Sequence, residues 1–364
     1  MPRHVNISIT GSCNLACRYC FYADSMTGLQ DLPTASWVLF FSRLSQMGVF
    51  DVTLSGGEPF ARPDLFDLID SLIANHMRYS FLTNGTLIDE SMLKKLSMGK
   101  RQLRLNSIQV SIDGSNAAIH NQSRPDSFDR ALNGLKLLKK NGFPVTVRVT
   151  VNRRNIHDLE NIARLLLDEI GLSSFGTNEA MPIGTGCRSE ADMSLTPIEM
   201  MQTMAILGRL QNRYPGRIHA DAGPLAKRRM YAEMMHARRT GEKTERWRMG
   251  TLSACGCFFS TIEILHDGTI VPCCMLPGLP LGNILHDDLT QIWRNHPQLQ
   301  SLRRRHLIPM HSLPGCENCD WASYCNGSCP GIAHQLTGDV NRANPGDCFR
   351  RFLLATGARY ALRT

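Results

Sequence analysis

Cys13, Cys17 and Cys20 stand at the spacing C-x3-C-x2-C, close behind the alternating apolar run of Val5, Ile7 and Ile9. The spacing demands a tight loop at the end of a strand, and three thiolates on one loop can hold three irons of a cubane 4Fe-4S cluster. No fourth cysteine lies nearby to bind the last iron, which is left open to a substrate or cofactor. The competing reading is a structural zinc loop with a distant fourth ligand. Against it stands the habit of closed zinc sites to draw on two pairs of ligands.

Runs like the one before the loop recur at Asp51 to Ser55, Tyr79 to Thr83, Ile108 to Ile112, Val145 to Val151 and Phe175 to Met181. Between them lie segments with helical spacing: Thr34 to Met47, Asp64 to Asn75, Asp89 to Ser97, Ser127 to Asn141 and His157 to Ile170. Strands that alternate with helices predict a parallel α/β sheet, because parallel neighbours need crossover connections. Curved, six such units make a partial (β/α)6 barrel. The unusual residues each follow the end of a predicted strand: the cysteine loop, Gly56-Gly57-Glu58-Pro59, Asn84-Gly85, Asp113-Gly114, Asn152, and Pro182 with Gly184. Parallel barrels gather their chemistry at the carboxyl ends of the strands, so these loops point to one site. Asn84-Gly85 and Asp113-Gly114 read first as ordinary turns. Gly56-Gly57 is more telling, since paired glycines let backbone carbonyls come close to a ligand.

Composition narrows the class. Thirteen cysteines in a chain without an export signal argue for metal binding rather than disulfides. There is no secretory segment and no apolar run long enough to span a bilayer, so the expected compartment is the cytosol, with no membrane partner. Asn326-Gly327-Ser328 is formally a glycosylation sequon and is set aside for the same reason. The net charge of +8 is concentrated in Lys227-Arg228-Arg229, Arg238-Arg239 and Arg303-Arg304-Arg305, which read as solvated helix faces. No aromatic-interleaved pattern accompanies them, so no nucleic-acid partner is expected. An acidic peptide or a carboxylate-rich small molecule would suit the charge.

The loop, with Tyr19 before its last cysteine, resembles the signature of the radical S-adenosylmethionine (SAM) superfamily. In that family the open iron is chelated by the amino and carboxylate groups of SAM, and electron transfer yields a 5′-deoxyadenosyl radical that takes hydrogen from an unactivated carbon. The resemblance implies that Gly56, Gly57 and Glu58 contact the methionine amino group and that Ser111 and Asn152 lie near the ribose or carboxylate. It also implies that Tyr19 and Tyr22 lie near adenine, with Asn84 a further cofactor contact. Arg124 is a candidate for the carboxylate, which a guanidinium fork would suit.

Past residue 250 the cysteines crowd: Cys255, Cys257, Cys273, Cys274, then Cys316, Cys319, Cys325 and Cys329 as C-x2-C-x5-C-x3-C, and finally Cys348. This order resembles the SPASM domain, a C-terminal extension of one radical SAM subgroup that holds two auxiliary 4Fe-4S clusters. A zinc ribbon would need two C-x2-C pairs, and one is present. By resemblance Cys257, Cys273 and Cys329 hold the first auxiliary cluster, with Cys255 as fourth ligand, and Cys316, Cys319, Cys325 and Cys348 hold the second. The expectation is therefore three 4Fe-4S clusters and SAM. Ile262 and Ile264, then Ile270 and Val271, around Asp267-Gly268 read as a hairpin. The expected domains are a barrel over 1–190, a helical bridge over 191–250 with a Thr196-Pro197-Ile198-Glu199 capping box, and a cysteine-rich domain over 251–364.

Two cysteines are left over, Cys187 after the sixth strand and Cys274 beside Cys273. Both are candidate hydrogen-atom donors, since a thiol can quench a carbon radical; Cys274 also reads as a small buried residue or an alternative ligand. In anaerobic sulfatase maturases of this subgroup an aspartate holds the position of Cys274, a departure that counts against that activity. Most relatives of this layout modify a peptide or protein by cross-linking, oxidation or epimerisation. Many grip a leader peptide with an N-terminal domain, for which the first cysteine at position 13 leaves no room, so a separate recognition protein or the barrel surface is expected to take that role. A flavodoxin or ferredoxin-type reductant is implied. Two other readings stand beside the peptide one: oxidation or decarboxylation of a small molecule such as a tetrapyrrole, and an iron-sulfur electron carrier.

Overall fold

The computed structural model describes residues 1–357; the end of the expected cysteine-rich domain, 358–364, lies outside the described residues. The chain opens with β1 (His4–Thr10), α1 (Thr34–Gln46), β2 (Asp51–Gly56), α2 (Leu65–Ala74), β3 (Arg78–Thr83) and α3 (Glu90–Leu96). It continues with β4 (Leu105–Ser111), α4 (Phe128–Lys140), β5 (Val145–Val151), α5 (Leu159–Ala163), which runs on as a π-helical stretch over Arg164–Glu169, and β6 (Phe175–Glu179). All six expected strands form, and neighbours pair in parallel from β1 to β6.

The bridge is richer than one linker helix. It holds α6 (Pro197–Arg213), β7 (Ile218–Ala220) and α7 (Pro224–Thr240), and β7 adds a parallel strand beside β6. β7 has three residues, too few for alternation to register in sequence. The expected capping box is present: Thr196 Oγ1 accepts from the Glu199 amide at 3.3 Å, and the Glu199 carboxylate accepts from the Thr196 amide at 2.8 Å. Met200, Met204 and Leu207 are buried, so the methionines are core filling.

The expected hairpin forms as β8 (Thr261–Ile264) and β9 (Thr269–Val271), followed by β10 (Gly282–Asn283), α8 (Leu289–Asn295), α9 (Pro297–Arg304), α10 (Pro330–Thr337) and α11 (Phe349–Thr356). It does not stand apart. β8 pairs in parallel with β1, giving one ten-stranded sheet in the order β10-β9-β8-β1-β2-β3-β4-β5-β6-β7. The sheet does not close on itself, so the barrel is partial.

Its two faces differ sharply. Val5, Ile7, Val52, Leu54, Phe81, Ile108, Val110, Val147 and Val149 are buried beneath the helices with Trp37, Phe41 and Leu68; each such side chain contributes roughly 1.5–3 kcal/mol. The alternate positions face inward and are polar: Asn6, Ser8, Thr53, Ser55, Ser80, Ser107, Gln109, Ser111, Thr146 and Arg148, nearly all half-buried. A closed parallel barrel fills that space with branched apolar side chains. This one keeps a hydrophilic lumen. Among the described residues no helix is long and apolar enough to cross a membrane.

Candidate active site and iron-sulfur centres

The three-cysteine loop leaves β1 and is tied to the ends of the strands around it. The Gly57 amide donates to Thr10 O and the Glu58 amide to Ser12 O, both at 2.8 Å. The approach explains the glycines: Gly56 adopts φ +118°, and a Cβ on Gly57 would lie 2.2 Å from Ser12 O. The buried Glu58 carboxylate accepts from Thr83 Oγ1 at 2.7 Å and the Asn84 amide at 2.8 Å, which locks β2 to β3; burial raises its pKa. Asn84 Nδ2 in turn donates to Asn14 Oδ1 inside the loop at 2.9 Å. From the other side the Arg18 amide donates to Ser123 O, and the Thr185 amide to Cys20 O, each at 3.0 Å.

Asp113, at the end of β4, is the hub of the site. One carboxylate oxygen accepts from the Tyr19 hydroxyl and from Arg124 Nε at 2.6 Å, and the other from the Thr150 amide at 2.6 Å. Arg124 reaches past Asp113 to Cys17, with Nη1 3.7 Å from Sγ. It is thus placed to neutralise both a buried carboxylate and the thiolate form of Cys17. The Asp113 amide donates to His120 Nδ1 at 3.1 Å, so the proton of this neutral ring sits on Nε2, 3.0 Å from Ser127 Oγ. Burial pushes His120 down to about 4. Read from sequence as a turn, Asp113 is the central residue that sequence reasoning missed; its signal was a strand-end aspartate at the converging end of a barrel.

Tyr22 and Asn152 have partners within the chain. The Tyr22 hydroxyl shares a 2.7 Å hydrogen bond with His266 Nδ1, and its ring packs on Leu265 and Val271. Asn152 Nδ2 donates to Thr150 O at 2.9 Å, and Oδ1 accepts from the Arg154 amide at 3.0 Å. Ser111 closes β4 on the inward face.

The distal cysteines gather in two groups. Cys255 and Cys257 have their sulfurs 3.1 Å apart, and Cys273 and Cys329 lie close enough to act on them electrostatically. Cys316, Cys319, Cys325 and Cys348 line one small cavity with Met310, Trp321 and Phe349. Among the described residues no three His, Cys, Asp or Glu side chains converge on one metal ion. A cubane asks for a different arrangement, one thiolate on each iron. The donor set fits such clusters: burial pushes Cys13, Cys325 and Cys329 up to about 11, so thiolates here need compensating cations. Beside the first group Arg305 is fully buried, and its Nε and Nη2 have no hydrogen-bond partner among the described residues. Orphaned cationic donors facing cysteines suit an anionic cluster.

Residues 7–166 match the radical SAM superfamily, and residues 255–320 match the SPASM iron-sulfur cluster-binding domain. The chain is a radical SAM enzyme with a SPASM domain. Its relatives include the AdoMet-dependent heme synthase of Methanosarcina barkeri, 28% identical over 96% of this chain and 97% of that one. Another is the mycofactocin maturase MftC of Mycobacterium tuberculosis, 26% identical over 88% of this chain and 76% of that one. Among solved structures, Streptococcus suis SuiB bound to precursor peptide SuiA superposes with TM-score 0.72 at 16% identity, covering 96% of this chain and 76% of that one, a likeness of fold.

Within the radical SAM/SPASM framework the two spare cysteines differ. Cys187 is exposed on a short helix whose neighbour Thr185 holds the cluster loop, and its thiol donates to Pro182 O at 2.7 Å. Cys274 is half-buried against Cys273 and near Glu263. Glu263 faces the lumen from β8, accepts from Ser8 Oγ at 3.2 Å, and is pushed up to about 8 by burial and by Cys273. The basic runs are not all solvated faces: Lys227 and Arg305 are buried, because carboxylates await the first and the SPASM cysteines surround the second. Tandem basic residues gave no sign of this, since position within the run decides which one turns inward.

Proposed function

We propose that this radical SAM enzyme abstracts hydrogen from a peptide or small-protein substrate and so cross-links, oxidises or epimerises it. The observation that carries the reading is the half-exposed polar lumen beneath the cluster loop, bounded by sheet edges that stay open. Such a cleft can admit an extended polar chain. The likeness to MftC and to SuiB with its precursor peptide supports the same class of substrate. Cys13, Cys17 and Cys20 would hold the cluster that binds SAM, and the two SPASM groups one auxiliary cluster each, three in all. When bound, SAM and its cluster supply the hydrogen-abstracting radical. The chain's part is to shield and orient: Asp113 fixes Tyr19 and Arg124 beside Cys17, Glu58 and Asn84 fix the loop, and the lumen positions the substrate. Recognition of a leader would fall to a separate protein or the barrel rim, and electrons would come from a flavodoxin or ferredoxin-type donor.

A second reading, radical decarboxylation or oxidation of an acidic small molecule such as a tetrapyrrole, is favoured by the near end-to-end match to the heme synthase. Reduced enzyme with SAM should release 5′-deoxyadenosine, and its absence would remove both readings. Co-expression with short peptides encoded beside the gene, followed by mass spectrometry, separates them. Loss of two hydrogens marks cross-linking or oxidation, and one solvent deuterium gained in deuterated water marks epimerisation. Unchanged peptides alongside carbon dioxide release from a tetrapyrrole acid would establish the second reading.

A further inference from the structure

Arg148, in the middle of β5, lies between Val147 and Val149, which are both buried beneath the helices, so its own side chain enters the lumen. There Nε donates to Gln109 Oε1 at 3.1 Å and Nη1 to Thr177 O at 3.4 Å. A guanidinium has five N–H donors, and these bonds use two of them. Among the described residues no carboxylate forms an ion pair with it; Asp221 attracts it from farther off, and burial lowers its pKa. A half-buried cation with no carboxylate at ion-pair distance can take an anion.

The surroundings are shaped for it. Arg148 faces Gly176 across the β5–β6 register, and a Cβ there would lie 3.1 Å from Nη1, so glycine leaves the space in which the guanidinium lies against β6. One inward position further along β6 stands Asn178, whose Oδ1 is buried and has no hydrogen-bond partner among the described residues. Gly176 and Asn178 stand two positions apart on the strand, about 7 Å. The lumen therefore offers unused guanidinium donors and, one step nearer the cluster loop, a buried amide oxygen that the described residues leave unpaired.

We propose that Arg148 and Asn178 form a substrate-positioning subsite for a carboxylate that has an N–H donor close by. The guanidinium takes the carboxylate and Asn178 Oδ1 takes the N–H. Resting on the peptide reading, this makes the substrate's anchor an acidic side chain with a neighbouring backbone amide; an acidic small molecule would present the same chemistry. Arg148 sits three residues before the end of β5, about 10 Å below the strand ends. The carboxylate is thus held away from the cluster loop and acts as an anchor, leaving another part of the substrate to react.

Calorimetry on the anaerobically purified, unreduced holoenzyme tests this with acetyl-Gly-Glu-Gly-amide, its Gln counterpart and glutarate. The Glu peptide should bind roughly tenfold or more tighter than the Gln peptide, as a charge-assisted pair requires. Arg148→Gln should erase that difference, Arg148→Lys should retain part of it, and Asn178→Ala should weaken both peptides alike. Glutarate binding tighter than the Glu peptide, and lost in Arg148→Gln, would assign the subsite to a small acid. Equal binding of both peptides, no binding of any probe, or discrimination that survives Arg148→Gln with cluster absorbance intact would overturn the proposal. No reductant is present, so a failure to cleave SAM would sink the catalytic reading without touching this result.

Discussion

The Tyr22 hydroxyl and His266 Nδ1 are 2.7 Å apart, although 244 residues separate them in the chain. Tyr22 belongs to the cysteine loop and His266 lies in the turn between β8 and β9, so one buried hydrogen bond staples the radical SAM loop to the SPASM hairpin. Gly11 lies over the same imidazole, where a Cβ would come within 2.8 Å of Nε2. Tyr22→Phe should leave the ring nitrogen unsatisfied in a buried site, a cost of about 1–3 kcal/mol. Denaturant unfolding of the anaerobic holoenzyme measures it, and an unchanged midpoint would show that the staple carries no weight.

His120 should give the stability a pH dependence. Its folded pKa is pushed from 6.5 down to about 4 by burial, with Asp113 raising it and Arg124 lowering it further. Between those values the unfolded chain binds a proton that the folded one does not. The contribution is therefore fully present above pH 6.5 and is lost as pH falls toward 4, to a total of about 3 kcal/mol. His120→Gln, which can both accept from Asp113 and donate to Ser127, should flatten the profile between pH 7 and 5.5. A variant with the wild-type slope would assign the effect elsewhere.

The sequence made much of this architecture legible, and the reason is periodic. Val5, Ile7, Ile9 and the later valine runs alternate over enough residues to mark strands, and the cysteine spacings mark both iron-sulfur regions. What stayed hidden was pairing across distance. Asp113 looks like any strand-end turn residue until Tyr19 and Arg124 close on it. β8 reads as half of a local hairpin, and only tertiary packing sets it beside β1. Lys227 and Arg305 sit in basic runs whose ordinary place is solvent, and burial of one member depends on what distant segments bring to it.

Lys227 illustrates the cost of such burial. Its ammonium lies 2.5 Å from Glu179 at the end of β6 and 2.7 Å from Asp347, the residue before Cys348. Burial alone would lower its pKa, but Asp347 and Glu179 more than offset this and hold it charged. Lys227→Met removes the cation and leaves two carboxylates facing each other in the interior, about 3–5 kcal/mol of destabilisation. Asp347 also accepts from Asn344 Nδ2 at 2.8 Å, so the loop that presents Cys348 should loosen. The variant should carry less iron than wild type, with the deficit confined to one cluster by spectroscopy. Full iron content with an unaltered midpoint would contradict this.

Arg305 should set the potential of one cluster. It is fully buried, donates to Ser253 O at 2.9 Å through Nη1, and keeps Nε and Nη2 without partners among the described residues, beside Cys255 and Cys329. Burial pushes it down to about 10, so it remains charged at neutral pH. Reduction adds negative charge to an iron-sulfur cluster, and a fixed cation with free N–H donors favours the reduced form. Arg305→Gln should therefore lower the potential of the auxiliary cluster proposed on Cys255, Cys257, Cys273 and Cys329 and leave the cluster proposed on Cys13, Cys17 and Cys20 unmoved, while Arg305→Lys should recover part of the shift through its charge. An EPR-monitored redox titration of the holoenzyme reads each centre separately. A common shift of every cluster would mean the substitution acts through general loosening of the fold, and no shift at all would mean the guanidinium does not face the cluster.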